Sequence, residues 1–117
     1  MSPEDVVRAE LEAWGRLDVE KIVSHFAPDA VYENVPIGAA TGLDEIRTTV
    51  EQFLKDMTFF DAEMLHLAVA GSVVLTERVD HIVMGGTKMD VRLMGVFEIA
   101  GDKVKAWRDY FDVAGHA

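Results

Sequence analysis

The residues best suited to chemistry begin with two charged side chains, Arg78 and Asp80, inside an otherwise apolar run. Residues 72–84 are rich in β-branched side chains and have glycines on both sides, which predicts a β-strand. Alternate side chains of a strand share a face, so Arg78 and Asp80 should lie together. A charge among apolar groups needs a partner, and a paired charge in a pocket is a candidate for catalysis. On this strand alone, a solvated ion pair on an exposed face is equally open.

A second candidate acid, Asp109, lies in a later strand-like segment, residues 103–112. Strand alternation puts Asp109 on the same face as Trp107 and Phe111. A carboxyl group between two aromatic rings loses hydration, which raises its pKa and lets it hold and donate a proton at neutral pH. The alternative is an aspartate in water on an edge strand, beside exposed rings.

Two neutral hydrogen-bonding side chains, Tyr32 and Asn34, share one face of a predicted strand over residues 30–36. A phenol and an amide can position a water molecule without changing its charge. Such residues are also common on half-exposed strands, so this pair is weak evidence by itself.

If these five polar side chains converge, one cavity holds two acids with Arg78 between them. The arginine favours the ionised form of Asp80, whereas desolvation favours the protonated form of Asp109. A base and an acid separated in this way suit the addition of water to an epoxide. Asp80 would take a proton from the water, and Asp109 would protonate the opening oxygen.

The elements that must position these residues divide into helices first and strands later. A helix is predicted from Pro3 to Gly15, a second from Asp18 to Pro28, and a third from Asp44, with residues 38–42 as a loop. After the strand over residues 30–36, four more strands are predicted at residues 58–69, 73–84, 88–99 and 103–112, separated by glycine-containing turns.

This order predicts an α+β fold in which a strongly curved antiparallel or mixed β-sheet forms a cone covered by about three helices. The whole chain, residues 1–117, is the size of a single domain. The net charge of −10 disfavours nucleic acid and membrane surfaces as partners, and no cysteine is available for disulfides or thiolate catalysis. No signal peptide or long apolar run is present, so a cytoplasmic location is expected.

Four short motifs resemble the limonene-1,2-epoxide hydrolases, over nearly the whole chain from about residue 4 to residue 112. They are VYENVP at residues 31–36, TERVD at 76–80, GVF at 95–97 and WRDYFD at 107–112. That family belongs to a group of cone-shaped, cystatin-like α+β folds that includes the ketosteroid isomerases, nuclear transport factor 2 and SnoaL-like proteins.

The resemblance implies one-step epoxide hydrolysis without a cofactor, in a homodimer packed through the outer face of the sheet. No metal site is expected, because the four histidines lack the spacing of metal ligands. The resemblance gives the base role to Asp80, the acid role to Asp109, the bridging role to Arg78, and the water-holding roles to Tyr32 and Asn34. Family members usually carry more residues at both ends, so a wider pocket mouth is expected here.

The walls of the cavity should be apolar, which favours a small, mostly apolar epoxide and water as the reaction partners. The predicted lining residues are Leu11, Trp14, Phe53, Met57, Ile82, Leu93 and Phe111.

The sequence leaves two other functions open. A ketosteroid-isomerase-type enzyme needs one base and an oxyanion-binding pair, which would leave the arginine between two acids without a task. A ligand-binding module without turnover would need the cavity but not both aspartates.

Overall fold

The computed structural model describes residues 1–113 and contains three helices and six strands. The last four positions of the predicted domain, including His116, lie outside the described residues. In chain order the elements are α1 (Pro3–Gly15), α2 (Val19–Ser24), β1 (Phe26–Asn34), β2 (Gly38–Thr41), α3 (Gly42–Lys55), β3 (Met57–Ala70), β4 (Val73–Met84), β5 (Thr87–Ala100) and β6 (Lys103–Tyr110).

The six strands form one mixed sheet in the order β2-β1-β6-β5-β4-β3. Strands β3 to β6 form an antiparallel meander joined by short turns. The last strand, β6, pairs in parallel with β1, the first strand of the chain. The three helices pack over this curved sheet. The predicted α+β architecture is therefore confirmed.

The helix starts follow from local hydrogen bonding. Ser2 and Asp5 form a reciprocal capping box at the start of α1, with Pro3 at the first helical position. The Asp18 carboxylate accepts a hydrogen bond of 3.1 Å from the Lys21 amide and caps α2. Among residues 1–113, none of these helices has the length and apolar character that crossing a membrane requires.

Four predicted boundaries are wrong. The strand predicted over residues 30–36 begins four residues earlier and ends two residues earlier, as β1. The predicted loop over residues 38–42 contains strand β2, which pairs antiparallel with β1 and so satisfies its backbone groups. Helix α2 ends at Ser24 rather than at Pro28, and Pro28 lies inside β1 at an irregularity in its pairing with β6. A proline is tolerated there because its missing amide donor falls where the ladder is interrupted. Helix α3 begins at Gly42, two residues before Asp44.

The sheet bends at interruptions of its register, and this bending makes room for a cavity. Irregularities occur twice in the β3–β4 pairing, once between β5 and β6, and once between β1 and β6. Bulges of this kind increase the local twist and curve a sheet. The helices cover the concave face, and most of the buried apolar side chains lie between the two layers.

Candidate active site

Two rows of neighbouring residues run across the sheet and bring the candidate side chains together. In the first row, Asn34 of β1 pairs with Asp109 of β6, Asp109 with Gly95 of β5, and Gly95 with Thr76 of β4. Residues paired across adjacent strands lie side by side on one face. Segments that are far apart in the chain therefore contribute to one patch of the concave face.

At the centre of the patch, Arg78 binds two carboxylates at once. Its Nη2 donates to Asp80 Oδ2 at 3.0 Å and to Asp109 Oδ2 at 2.9 Å, and its Nε donates to Asp80 Oδ1 at 3.2 Å. Its Nη1 donates to Thr76 Oγ1 at 2.9 Å and to Asp109 Oδ1 at 3.3 Å. The planar guanidinium thus fixes the relative positions of the two acids.

This charged cluster is almost completely removed from water. Arg78 is 1% exposed, Asp109 is 4% exposed and Asp80 is 6% exposed. Burial alone would lower the pKa of Arg78, but the two carboxylates outweigh it and raise that pKa above its ordinary value. The arginine is therefore always cationic, and with both acids ionised the cluster would carry a net charge of −1.

Asp109 is the acid for which desolvation dominates. Its burial raises the pKa above the ordinary carboxyl value, while the Arg78 charge and the Arg78 hydrogen bonds oppose this rise. The Asp80 charge adds to the rise, and the Trp107 indole, which donates to Asp109 Oδ1 at 2.7 Å, opposes it. The net effect favours a proton on Asp109.

The second row places aromatic rings beside the acids. Tyr32 of β1 pairs with Trp107 of β6, and Trp107 with Phe97 of β5. The Trp107 ring lies 4.7 Å, centroid to centroid, from each of the other two rings. Burial and the nearby Asp109 charge raise the pKa of Tyr32 above its ordinary value, so its phenol stays neutral.

An apolar cavity of about 330 Å³ opens above the acids. Tyr32, Asn34, Asp80 and Asp109 are the polar or charged aliphatic and phenol side chains in its lining. The remaining lining residues are apolar or aromatic and comprise Trp14, Ile37, Phe53, Met57, Phe60, Ile82, Met84, Met89, Val91, Leu93, Trp107, Phe111 and Val113. This volume lies at the lower end of the range for small-molecule sites.

Comparison with known protein families identifies the family of this chain. The limonene-1,2-epoxide hydrolase catalytic domain matches residues 1–115. The chain belongs to this family. The family indicated by the four sequence motifs is therefore confirmed.

Individual relatives agree with this membership. The epoxide hydrolase EphG of Mycobacterium tuberculosis is 31% identical over 107 residues, which cover 92% of this chain and 71% of that protein. A solved structure from M. tuberculosis also matches, that of an epoxide hydrolase like the limonene-1,2-epoxide hydrolases. It is 30% identical to this chain, with a TM-score of 0.84, and the match covers 93% of this chain and 81% of the other.

More distant structures share the fold alone. A protein with a ketosteroid isomerase-like fold from Catenulispora acidiphila superposes with a TM-score of 0.86 at 22% identity, over 97% of this chain and 89% of the other. This member of the limonene-1,2-epoxide hydrolase family therefore has the expected cone-shaped, cystatin-like α+β fold.

The structure brings together all five polar residues singled out in the sequence. Arg78 lies under the cavity and bridges the acids, and the other four line it. Six of the seven predicted apolar lining residues also face the cavity.

Leu11 is the exception, and its assignment to the cavity is wrong. It is buried in the core and borders a separate shallow groove between α1 and β3, together with Arg8 and Glu12. Helical spacing identified the buried face of α1, but that face is wider than the strip that meets the cavity.

Sequence reasoning missed the supporting role of Gly95. A Cβ atom built on Gly95 would lie 2.5 Å from Arg78 Nη1, 2.6 Å from Asp109 Oδ1 and 2.8 Å from Thr76 Oγ1. Only a residue without a side chain leaves room for the guanidinium and the carboxylate at this position. A glycine inside a strand, rather than in a turn, is the signal that could have found it.

Thr76 and Trp107 were also missed as residues that hold the charged cluster by hydrogen bonds, Thr76 at Arg78 and Trp107 at Asp109. Thr76 accepts from Arg78 and donates to the Gly95 carbonyl at 3.3 Å, so its hydroxyl is used twice. Trp107 was interpreted only as an apolar neighbour of Asp109, yet its indole N–H bonds to that carboxylate. Each residue shares a strand face with a member of the charged cluster two positions away, Thr76 with Arg78 and Trp107 with Asp109, and this spacing is the available signal.

Proposed function

We propose that the protein hydrolyses a small, mostly apolar epoxide to a vicinal diol by direct attack of water. Family membership and the identity with a mycobacterial epoxide hydrolase support this class of reaction. The observation that carries the mechanism is one arginine hydrogen-bonded to two buried carboxyl groups beside an apolar cavity.

In this proposal Asp80 is the general base. Tyr32 and Asn34 hold a water molecule between them and Asp80, and Asp80 removes its proton as the water oxygen bonds to an epoxide carbon. Tyr32 suits this role because its phenol stays neutral and can both donate and accept.

Asp109 is the general acid of the same step. As the carbon–oxygen bond of the ring breaks, the leaving oxygen takes the proton of Asp109, so no free alkoxide is formed. Asp80 then holds one proton and Asp109 none, and the total charge of the site is unchanged. A proton passed from Asp80 to Asp109, through water, restores the starting state. Arg78 stabilises each of these charge distributions because it contacts both acids.

The cavity favours an uncharged hydrocarbon epoxide. Its wall is formed almost entirely by carbon atoms, and the polar side chains among its lining residues are Tyr32, Asn34 and the two acids. Among residues 1–113, none of the side chains that line it is a lysine or arginine that could pair with a carboxylate or phosphate on the substrate. A charged epoxide would therefore lose its hydration without compensation.

A panel of epoxides tests this proposal. We expect diol formation from cyclic and short linear apolar epoxides, and much weaker turnover of epoxides that carry a carboxylate at the opposite end. The diols are measured by chromatography that separates enantiomers. Failure to hydrolyse any apolar epoxide, with the protein folded, would contradict the proposal.

A further inference from the structure

A second buried acid, Glu10, lies outside the cluster around Arg78. Glu10 is on the inner face of α1, is fully buried, and its Oε1 lies 2.9 Å from Nδ1 of His25. His25 follows α2 and its backbone carbonyl accepts a hydrogen bond of 2.7 Å from the Val104 amide. The pair therefore ties α1 to the junction of α2 and β1.

Two buried polar atoms at this site, one on Glu10 itself and one on a neighbouring side chain, have no hydrogen-bond partner in the part of the chain that the structure describes. They are Oε2 of Glu10 and Nε1 of Trp14. Residues four apart on a helix lie one turn apart on the same face, so this acceptor and this donor belong to neighbouring side chains. A buried donor and a buried acceptor are costly unless they bond to each other, directly or through one water molecule.

Trp14 connects this pair to the cavity. Its ring lines the cavity wall and makes edge contacts with Trp107 at 6.1 Å and Phe53 at 6.2 Å, between ring centroids. It also packs against Tyr32 at 6.2 Å. A change in the tilt of the Trp14 indole would therefore alter both the wall and the surroundings of the phenol.

We propose that Glu10 is a positioning residue that controls the orientation of Trp14 in the cavity wall. In its charged form, the carboxylate holds His25 with one oxygen and the Trp14 indole N–H with the other. A proton on Glu10 weakens the second bond, because a neutral acid is a poorer acceptor, and releases the indole. The shape of the cavity then depends on pH. The predicted effect on turnover rests on the proposed epoxide hydrolysis, whereas the movement of Trp14 does not.

The electrostatics place this change close to neutral pH. Burial raises the pKa of Glu10 to about 7, and the hydrogen bond and charge of His25, followed by the Trp14 indole, oppose the rise. Helix α1 also packs against α2 and strands β3 to β6. Of the titratable side chains on these elements and in the junctions between them, within residues 1–113, His25 is the one that acts on Glu10.

Tryptophan fluorescence tests the proposal without any substrate. The chain has two tryptophans, so Trp107→Phe leaves Trp14 as the only emitter. We expect the emission of Trp107→Phe to change with pH, with a midpoint near the pKa of Glu10, about 7. Adding Glu10→Gln should abolish this transition. Adding Glu12→Gln, an exposed glutamate on the same helix, should preserve it.

A third variant fixes the direction of the effect. His25 lowers the pKa of Glu10, so adding His25→Gln should move the midpoint to higher pH. Flat emission of the Trp107→Phe protein between pH 5.5 and pH 8.5 would overturn the proposal, as would a transition that persists in the Glu10→Gln variant. The first of these results needs no change at Glu10, so a folding defect of that variant cannot hide it.

Activity provides an independent readout. With Trp107 in place, Glu10→Gln should remove a pH-dependent change in KM for an apolar epoxide, while kcat at high pH stays within a few-fold of the original. Glu12→Gln should leave both parameters unchanged. If the fluorescence transition occurs but no epoxide is hydrolysed, the proposed function fails and the role of Glu10 stands. An equal loss of kcat at every pH, without a change in KM, would overturn the positioning role.

Discussion

At the floor of the cavity a single guanidinium holds two carboxyl groups that water barely reaches. Two ionised carboxylates around one cation leave a negative charge in a poorly hydrated site, which one proton removes. Asp109 is the favoured carrier of that proton, since burial raises its pKa. Strand alternation and residue type predicted Asp109, Arg78 and Asp80 correctly as neighbours, because one face of a strand has a fixed period of two.

Replacing either acid by its amide should greatly reduce turnover and leave the fold intact. We expect Asp80→Asn and Asp109→Asn each to lower kcat by about 100-fold to 10,000-fold, the range for loss of a general base or acid. Steady-state diol formation measures the loss, and circular dichroism checks the fold. Asp102→Asn, in the exposed turn between β5 and β6, is the matched control and should retain full activity. Activity near the original level in either active-site variant would refute the two-acid mechanism.

The proton on Asp109 predicts the direction of the alkaline pH dependence. Asp109 donates only while it is protonated, so kcat/KM should fall as pH rises through its raised pKa. The Trp107 indole bonds to the charged form and lowers that pKa. Trp107→Phe should therefore move the alkaline limb of the kcat/KM profile to higher pH. A limb that moves to lower pH would show that Asp109 is not the acid.

At the scale of elements, the cavity-facing positions of the strands were easier to predict than the residues that make room for the charged cluster or pack behind it. Alternation predicted the cavity-facing positions of β1, β4 and β6, but Gly95 entered only as part of a motif, because a glycine has no side chain to assign to a face. Leu11 was assigned wrongly since helical periodicity shows which face is buried, and not whether it meets a cavity or packed side chains. Residues 38–41 lack the apolar alternation of a strand, and pairing with β1 is what makes them a strand.

Adding one methyl group to Gly95 should disable the site. The Cβ of Gly95→Ala would overlap Arg78, Asp109 and Thr76, which cannot all move because they are bonded to one another. We expect loss of nearly all activity and a destabilisation of about 1–3 kcal/mol, the usual cost of overpacking. Urea unfolding and diol formation measure the two effects.

Gly15→Ala is the control for that experiment. Gly15 lies in α1, and its added Cβ would make an ordinary contact of 3.5 Å with the Phe60 carbonyl oxygen. Alanine is the better helix former by about 1 kcal/mol, so this variant should be as stable as the original or more stable. Equal effects of the two substitutions would refute the steric role of Gly95.

The contact between α1 and His25 should also appear in the pH dependence of stability. Folding raises the pKa of Glu10 from 4.5 to about 7, so the folded state binds more protons between these values. This group therefore makes the free energy of unfolding fall as pH rises through that window, by up to about 1.4 kcal/mol per pH unit. Denaturant unfolding from pH 4.5 to pH 8 should show a shallower fall in Glu10→Gln than in the original. Parallel curves would contradict a raised pKa at Glu10.

At the scale of the whole molecule, the cone has one face covered by helices and one face that remains open. We propose that a second copy packs on the open face of the sheet, as the family resemblance led us to expect. Exposed apolar side chains on that face support this, among them Leu75 of β4, Met94 of β5 and Tyr110 of β6.

A charge placed on the open face should dissociate such a dimer. We expect Leu75→Lys to shift the mass in solution, measured by light scattering after size exclusion, from two chains to one. Val69→Lys is the control, because Val69 is equally exposed but lies on the opposite face, beside the buried Val74. A mass of one chain for the unchanged protein at micromolar concentration would contradict the dimer.

The fold and the family could be predicted from the sequence because helix caps, glycine turns and four ordered motifs all agree. The volume of the cavity and the buried Glu10–His25 pair could not. The cavity volume and the Glu10–His25 pair both depend on the exact position of α1 on the curved sheet. That position is set by packing between residues far apart in the chain.

Single-turnover hydrolysis of an apolar epoxide in heavy-oxygen water tests the central claim most directly. The protein is kept in excess over the epoxide, and the masses of the diol and of the peptides that carry Asp80 and Asp109 are measured. If water attacks the epoxide directly, the heavy oxygen enters the diol in the first turnover and neither aspartate carries label. A first-turnover diol without label, with heavy oxygen in one of the aspartates, would mean that a covalent ester forms and would contradict the mechanism.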